Sequence, residues 1–249
     1  MNPLLFAWVW NPAALLGAAA ALVIYFGCHG WSRRAWWMLA ATAIFLLALV
    51  SPLAALARNY LFCAHMLQHI LLMLAVPAFV LMAFPPREHL PNPRINPVVS
   101  WICGIAAMWV WHIPALCDAA ASLRAVSAFQ TVSLLGLGAL FWWQLLSPDQ
   151  SQRIPPLGGV LYLFMACTAC TVLGIILTFA PVTVCKAYLH PADTLGIMPM
   201  LEGQWGLTPL RDQQIGGLIM WVPMCLAYAG AIFGQIARWY AAPAALHHT

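Results

Sequence analysis

Charge is what this chain of 249 residues has least of: 6% of its side chains are Asp, Glu, Lys or Arg, while 64% are hydrophobic. A soluble domain averages about 25% charged residues. So few charges cannot cover a water-facing surface, and the bilayer must solvate most of the chain. Clustered basic charge is missing too. The ten Lys and Arg residues are scattered, so the net charge of +4 builds no nucleic-acid patch. There is no Walker loop, dinucleotide fingerprint, nucleophile elbow or His-Glu-x-x-His sequence, which leaves phosphoryl transfer and hydrolysis without support. No basic residue precedes the first apolar run and no small-x-small cleavage site stands out, so that run is expected to be a retained helix.

What is present is a series of apolar runs of spanning length. Crossing the hydrocarbon layer takes about 20 helical residues. Seven segments qualify: Pro12 to Cys28, Trp36 to Leu56 with a bend or end at Pro52, Leu61 to Phe84, the short Pro97 to Trp111, Val126 to Leu146, Leu157 to Ala180, and Ile215 to Trp239. Thirteen Trp and six Tyr, several flanking these runs, suit interfacial belts. The expected fold is all-α: one polytopic transmembrane bundle of about seven spans over residues 1–249.

Orientation follows from basic residues in the loops. Arg33, Arg34, Arg87, Arg94, Arg153 and Arg238 fall on one side; Arg58, Arg124, Lys186 and Arg211 fall on the other, with Asp118, Asp193, Glu202 and Asp212. The bias favours a periplasmic N-terminus and a cytoplasmic C-terminus, in a bacterial inner membrane.

Most cysteines sit in or beside apolar runs, which is poor placement for an extracellular disulfide framework. Cys117 and Cys185 lie in loops on the same side and are able to pair, a point the sequence leaves open. Cys167 and Cys170 form a Cys-x-x-Cys inside an apolar span, where helix packing competes with a copper-relay reading.

Histidine carries the sharpest signal. His65 and His69 lie one turn apart near the outer end of the third span, and His112 ends the fourth. Residues four apart share a helix face, and an ionisable residue inside a membrane points to function because lipid penalises it. Two imidazoles at this spacing can grip one ion. Nearby Met66, Met73 and Met108 soften the donor set toward copper. The competing reading is that the histidines are satisfied by hydrogen bonds between helices. Asp118 is a candidate outer-shell acceptor or a loop acid. Asp212 is expected to cap the seventh helix, with an outer-shell role beside that. His190 reads as an interfacial loop histidine, and His29, His89, His247 and His248 as solvated.

Three ordered stretches carry a resemblance: His65-Met66-Leu67-Gln68-His69, Trp109-Val110-Trp111-His112-Ile113-Pro114, and Asp212-Gln213-Gln214-Ile215-Gly216-Gly217 continuing to Pro223. The chain resembles the CtaG-type cytochrome c oxidase assembly factors, bacterial inner-membrane proteins of about seven helices. The resemblance implies a role in oxidase maturation, with copper handled for the oxidase metal centres and with haem-copper oxidase subunits or their assembly intermediates as partners. Family members often carry a further histidine pair early in helix five. Here that stretch reads Ala125-Val126-Ser127-Ala128-Phe129-Gln130-Thr131-Val132. The departure argues against a second ion and against redox chemistry by the chain itself. The expected function is thus an assembly factor holding copper at His65, His69 and His112. A membrane copper-dependent oxidoreductase and a metal-free scaffold stand as alternatives.

Overall fold

A backbone in hydrocarbon must satisfy its own N–H and C=O groups, which leaves the helix as the element for apolar runs of this length. The computed structural model describes residues 7–86 and 95–241, and no strand occurs among them. Arg87, His89, Arg94, His247 and His248 lie outside the described residues.

In chain order the helices are α1 (Pro12–His29), α2 (Ala35–Val50), α3 (Pro52–Asn59), α4 (Phe62–Ile70), α5 (Val76–Ala83), α6 (Pro97–Trp111), α7 (Pro114–Ser122), α8 (Arg124–Leu146), α9 (Pro156–Phe179) and α10 (Pro209–Ala241). A π-helical turn, Leu71–Ala75, joins α4 to α5 in one span, Phe62–Ala83. With α1, α8, α9 and α10, that gives five helices, among the described residues, long and apolar enough to cross a membrane. The bent pairs α2–α3 and α6–α7 raise the number to as many as seven.

The bends follow from proline. Ser51 is extended and its hydroxyl accepts from the Leu53 N–H at 3.2 Å, so the second span breaks by 46° just before Pro52. Pro114 opens α7 at its first position, where the missing N–H costs nothing. The turn of 74° leaves His112 and Ile113 at the corner. Pro77 has no N–H to offer the Met73 carbonyl one turn earlier, and the chain widens into the π turn there. Gly138 on α8 lets that helix approach: a Cβ at this position would collide with the Met73 carbonyl oxygen. The last helix starts at Pro209, earlier than expected, and continues through Pro223. Membrane helices tolerate such a proline where neighbours re-satisfy the freed carbonyl.

The outside of the bundle is apolar, with Leu16, Val23, Phe129, Val132, Leu226 and Phe233 exposed. The interior holds Phe62, Met66, Met108, Phe141, Met220 and Tyr228, all closed off from solvent. α9 and α10 meet at Gly174 and Gly217. A Cβ on Gly217 would lie 2.8 Å from the Thr178 nitrogen and 3.1 Å from the Gly174 oxygen. Such close approach is the membrane solution to helix association, where lipid removes the usual hydrophobic drive.

Basic residues separate by end as the loop assignment requires. Arg33, Arg34 and Arg153 line one cavity; Arg58 and Arg124 line another at the opposite end of α1. His29 differs from its expected solvated place. Its ring stacks on Tyr25 at 5.2 Å and meets Phe84 edge-on at 5.4 Å, with both ring nitrogens buried.

Candidate functional site

The histidine helix α4 begins without a cap of its own, because Leu61 precedes it. The first N–H groups of a helix need acceptors, and here the acceptor comes from α10. The Asp212 carboxylate accepts from the Phe62 N–H at 2.6 Å and the Cys63 N–H at 3.0 Å. The cap expected on the seventh helix therefore serves the third span. Its negative charge also sits at the positive end of the α4 dipole. One turn further along α10, Gly216 faces Phe62 and Met66 with no room for a side chain. Together they fix the depth and rotation of α4.

That placement aims His65 and His69 inward. Their ring centroids are 4.4 Å apart, and His69 lies 5.4 Å from His112, nearly perpendicular at 84°. The three residues are 5%, 1% and 6% exposed, so their nitrogens must find partners inside the protein. Few do. His65 Nε2 and both ring nitrogens of His69 have no hydrogen-bond partner. His112 Nδ1 lies 2.5 Å from the Met108 carbonyl oxygen, which can only accept. In the neutral ring that bond puts the proton on Nδ1 and leaves a lone pair on Nε2. This Nε2 lies 3.0 Å from the Met66 sulfur, itself an acceptor. Two lone-pair donors thus face each other in the apolar interior.

The arrangement is a row, His65 to His69 to His112, rather than a closed tripod. Among the described residues no group of three or more His, Cys, Asp or Glu is placed to hold a metal ion as it stands. Nitrogen and thioether sulfur without protons nevertheless form a donor set suited to copper.

Gln130 adds a polar group that the sequence reading missed. It is 3% exposed on α8, its side chain lies beside His69, and its Nε2 is unpartnered. It comes from the stretch where the resemblance leads one to look for histidine. Its presence in an apolar span was the available signal.

The long loop after α9 closes over the outer end of α4. Cys185 is disulfide-bonded to Cys117 of α7, which settles the open pairing. Asp118 accepts from the Ala187 N–H at 2.9 Å, so its carboxylate anchors the loop rather than meeting an imidazole. Tyr188 donates to the Ala57 carbonyl at 2.6 Å and packs against Phe62 and His65. Burial first, then the Asp212 and Asp118 charges, push its phenol pKa upward. Gln213 ties the loop's start, donating to Leu177 and Val182 and accepting from the Val184 N–H. His190 is exposed on that loop.

A cavity of about 490 Å³ reaches the row from one side. His65, Gln68 and Tyr188 line it, with Arg58 and Arg124 also on its wall. His69 and His112 are not on its wall, so His65 is the end of the row that borders the cavity. Cys167 and Cys170 stand apart from all this: Cys167 meets Cys225 across the α9–α10 contact at 2.8 Å, and Cys170 packs near Tyr228.

Nothing matches the chain among curated proteins or among solved structures. The family model for the cytochrome c oxidase caa3 assembly factor (Caa3_CtaG) matches residues 18–242, from the first span to the end of the last. That range takes in α4, the corner at His112 and the Asp212 cap, and the chain belongs to the cytochrome c oxidase caa3 assembly factor family.

Proposed function

We propose that this assembly factor holds a copper ion on His65, His69 and His112, with Met66 as a sulfur donor, and supplies it to a maturing haem-copper oxidase. The observation that carries the reading is the lone pair on His112 Nε2 facing the Met66 sulfur, beside His65 Nε2 and the two His69 ring nitrogens, which lack partners. Buried polar atoms are normally satisfied; a soft cation would satisfy several of these at once. The His65 cavity offers the route by which an ion reaches the row. The basic-residue bias puts that end of the bundle at the periplasmic face of a bacterial inner membrane. The Cys117–Cys185 disulfide agrees with an oxidising compartment there. Partners would be oxidase subunits or assembly intermediates.

A scaffold without metal is the second reading, favoured by the absence of a closed three-ligand group among the described residues. Copper-dependent oxidoreduction has less support, since Gln130 contributes an amide rather than an imidazole beside His69. One genetic experiment separates copper supply from scaffolding. Cells carrying the His65→Ala, His69→Ala, His112→Ala triple variant, at normal protein level, are expected to assemble oxidase that lacks copper. Fully metallated oxidase in those cells would reject copper supply and leave the scaffold.

A further inference from the structure

At the end of the bundle away from His65, His69 and His112 lies a second cavity, of about 510 Å³. It is bounded by the α1–α2 turn, the end of α5 and the α8–α9 connection, and is lined by Arg33, Arg34, Arg153, Trp37, Phe84 and Pro148 among others. Two of its guanidinium groups are held by main-chain carbonyls rather than by acids. Arg34 Nη1 donates to Met82 and Phe84 at 3.2 and 3.3 Å. Arg153 donates through Nε to Ser147 at 2.8 Å, which leaves the amino groups at its tip to point elsewhere.

Among the described residues, the charges that act on Arg153 are positive. Burial, then the positive charges of Arg238 and Arg34, hold the Arg153 pKa below its ordinary value. Arg238 bonds the neutral Gln235 amide oxygen at 2.7 Å. Cations gathered in this way favour an anion between them. Guanidinium forks match the paired oxygens of a phosphate.

The surroundings indicate which kind of phosphate. Trp37 lines the cavity, and Trp31 and Trp36, close to it in sequence, are also exposed; exposed tryptophan marks the headgroup level of a bilayer. Leu81, Met82 and Leu146 make the remaining wall apolar. The basic-residue bias puts this end in the cytoplasm, where basic pockets between spans take up anionic headgroups. We propose that this cavity binds the phosphodiester headgroup of an anionic phospholipid, gripped between Arg34 and Arg153.

The test uses the full-length protein in mild detergent, incubated with equal amounts of phosphatidylglycerol or phosphatidylcholine and read by native mass spectrometry. The wild-type protein is expected to retain the anionic lipid about tenfold better, in keeping with charge-assisted bonds from two guanidinium groups. The Arg34→Gln, Arg153→Gln variant should lose that preference, while Arg58→Gln, Arg124→Gln at the opposite end should keep it. Equal retention of the two lipids by the wild-type protein overturns the proposal without reliance on any variant. So does an undiminished preference in the Arg34→Gln, Arg153→Gln protein. Displacement of the lipid by inorganic phosphate alone would reassign the cavity to a soluble anion and remove the lipid.

Discussion

Asp212 holds Phe62. The carboxylate on the first turn of α10 accepts the Phe62 N–H at 2.6 Å and its neighbour Cys63 at 3.0 Å, across a separation of 150 residues. The first helix turn of the histidine span therefore has its register set by a different span. The histidine pair on α4 cannot shift along its axis without breaking charge-assisted bonds in an apolar interior.

Removing that carboxylate should cost stability and loosen the histidines together. Asp212→Ala is expected to lower unfolding free energy by about 1–3 kcal/mol, the range for a lost cap with buried donors left unpaired. Asp212→Asn keeps one acceptor oxygen and should lose less. Unfolding by denaturing detergent in mixed micelles measures both; equal stability of Asp212→Ala and wild type would show that the cap contributes nothing.

The α9–α10 seam predicts a contrast between two glycines of one helix. Gly217→Ala drives a methyl into the Thr178 backbone and should cost about 1–3 kcal/mol or prevent folding. Gly230 has open space where its Cβ would go, so Gly230→Ala should be neutral or stabilise by about 0.5–1 kcal/mol. The same unfolding assay ranks them, and the reverse order would contradict this packing.

Disulfide chemistry is checked by counting thiols. Six cysteines are free and two are bonded. Alkylation of the denatured, unreduced protein should therefore modify six, and alkylation after reduction should modify eight. Cys117→Ser should also cost about 2–4 kcal/mol through the freed loop. Eight reactive thiols before reduction would rule out the bridge.

Met66 predicts a change of affinity without a change of fold. Leucine matches methionine closely in volume, and such swaps in a core usually cost less than 1.5 kcal/mol. Met66→Leu should keep the wild-type unfolding profile yet bind Cu(I) at least about tenfold more weakly, because thioether sulfur favours that ion. A competition titration with a Cu(I) chelator reads the difference. Unchanged affinity would take Met66 out of the donor set.

Composition and period made the spans legible. Apolar runs separated by Pro52, Pro97 and Pro156 read directly as helices, and spacing alone put His65 and His69 on one face. Contacts between spans were not legible. Asp212 looked like the cap of its own helix because sequence shows neighbours along the chain, while its partner lies on α4. Topology put Cys117 and Cys185 on the same side, but only the loop after α9 folding back over α7 brings them into a bond. Met66 read as a soft donor close to His65 and His69, yet its sulfur faces His112, since the corner at Pro114 swings that ring inward. Gln130 escaped notice because an amide in an apolar run carries no spacing signature.

The most direct measurement is copper K-edge X-ray absorption on the purified protein loaded with Cu(I), beside the His69→Ala variant. Coordination by His65, His69, His112 and Met66 predicts imidazole scattering together with a sulfur shell, and a weaker imidazole component in the variant. A protein that retains no copper, or a spectrum that His69→Ala leaves unchanged, would contradict it.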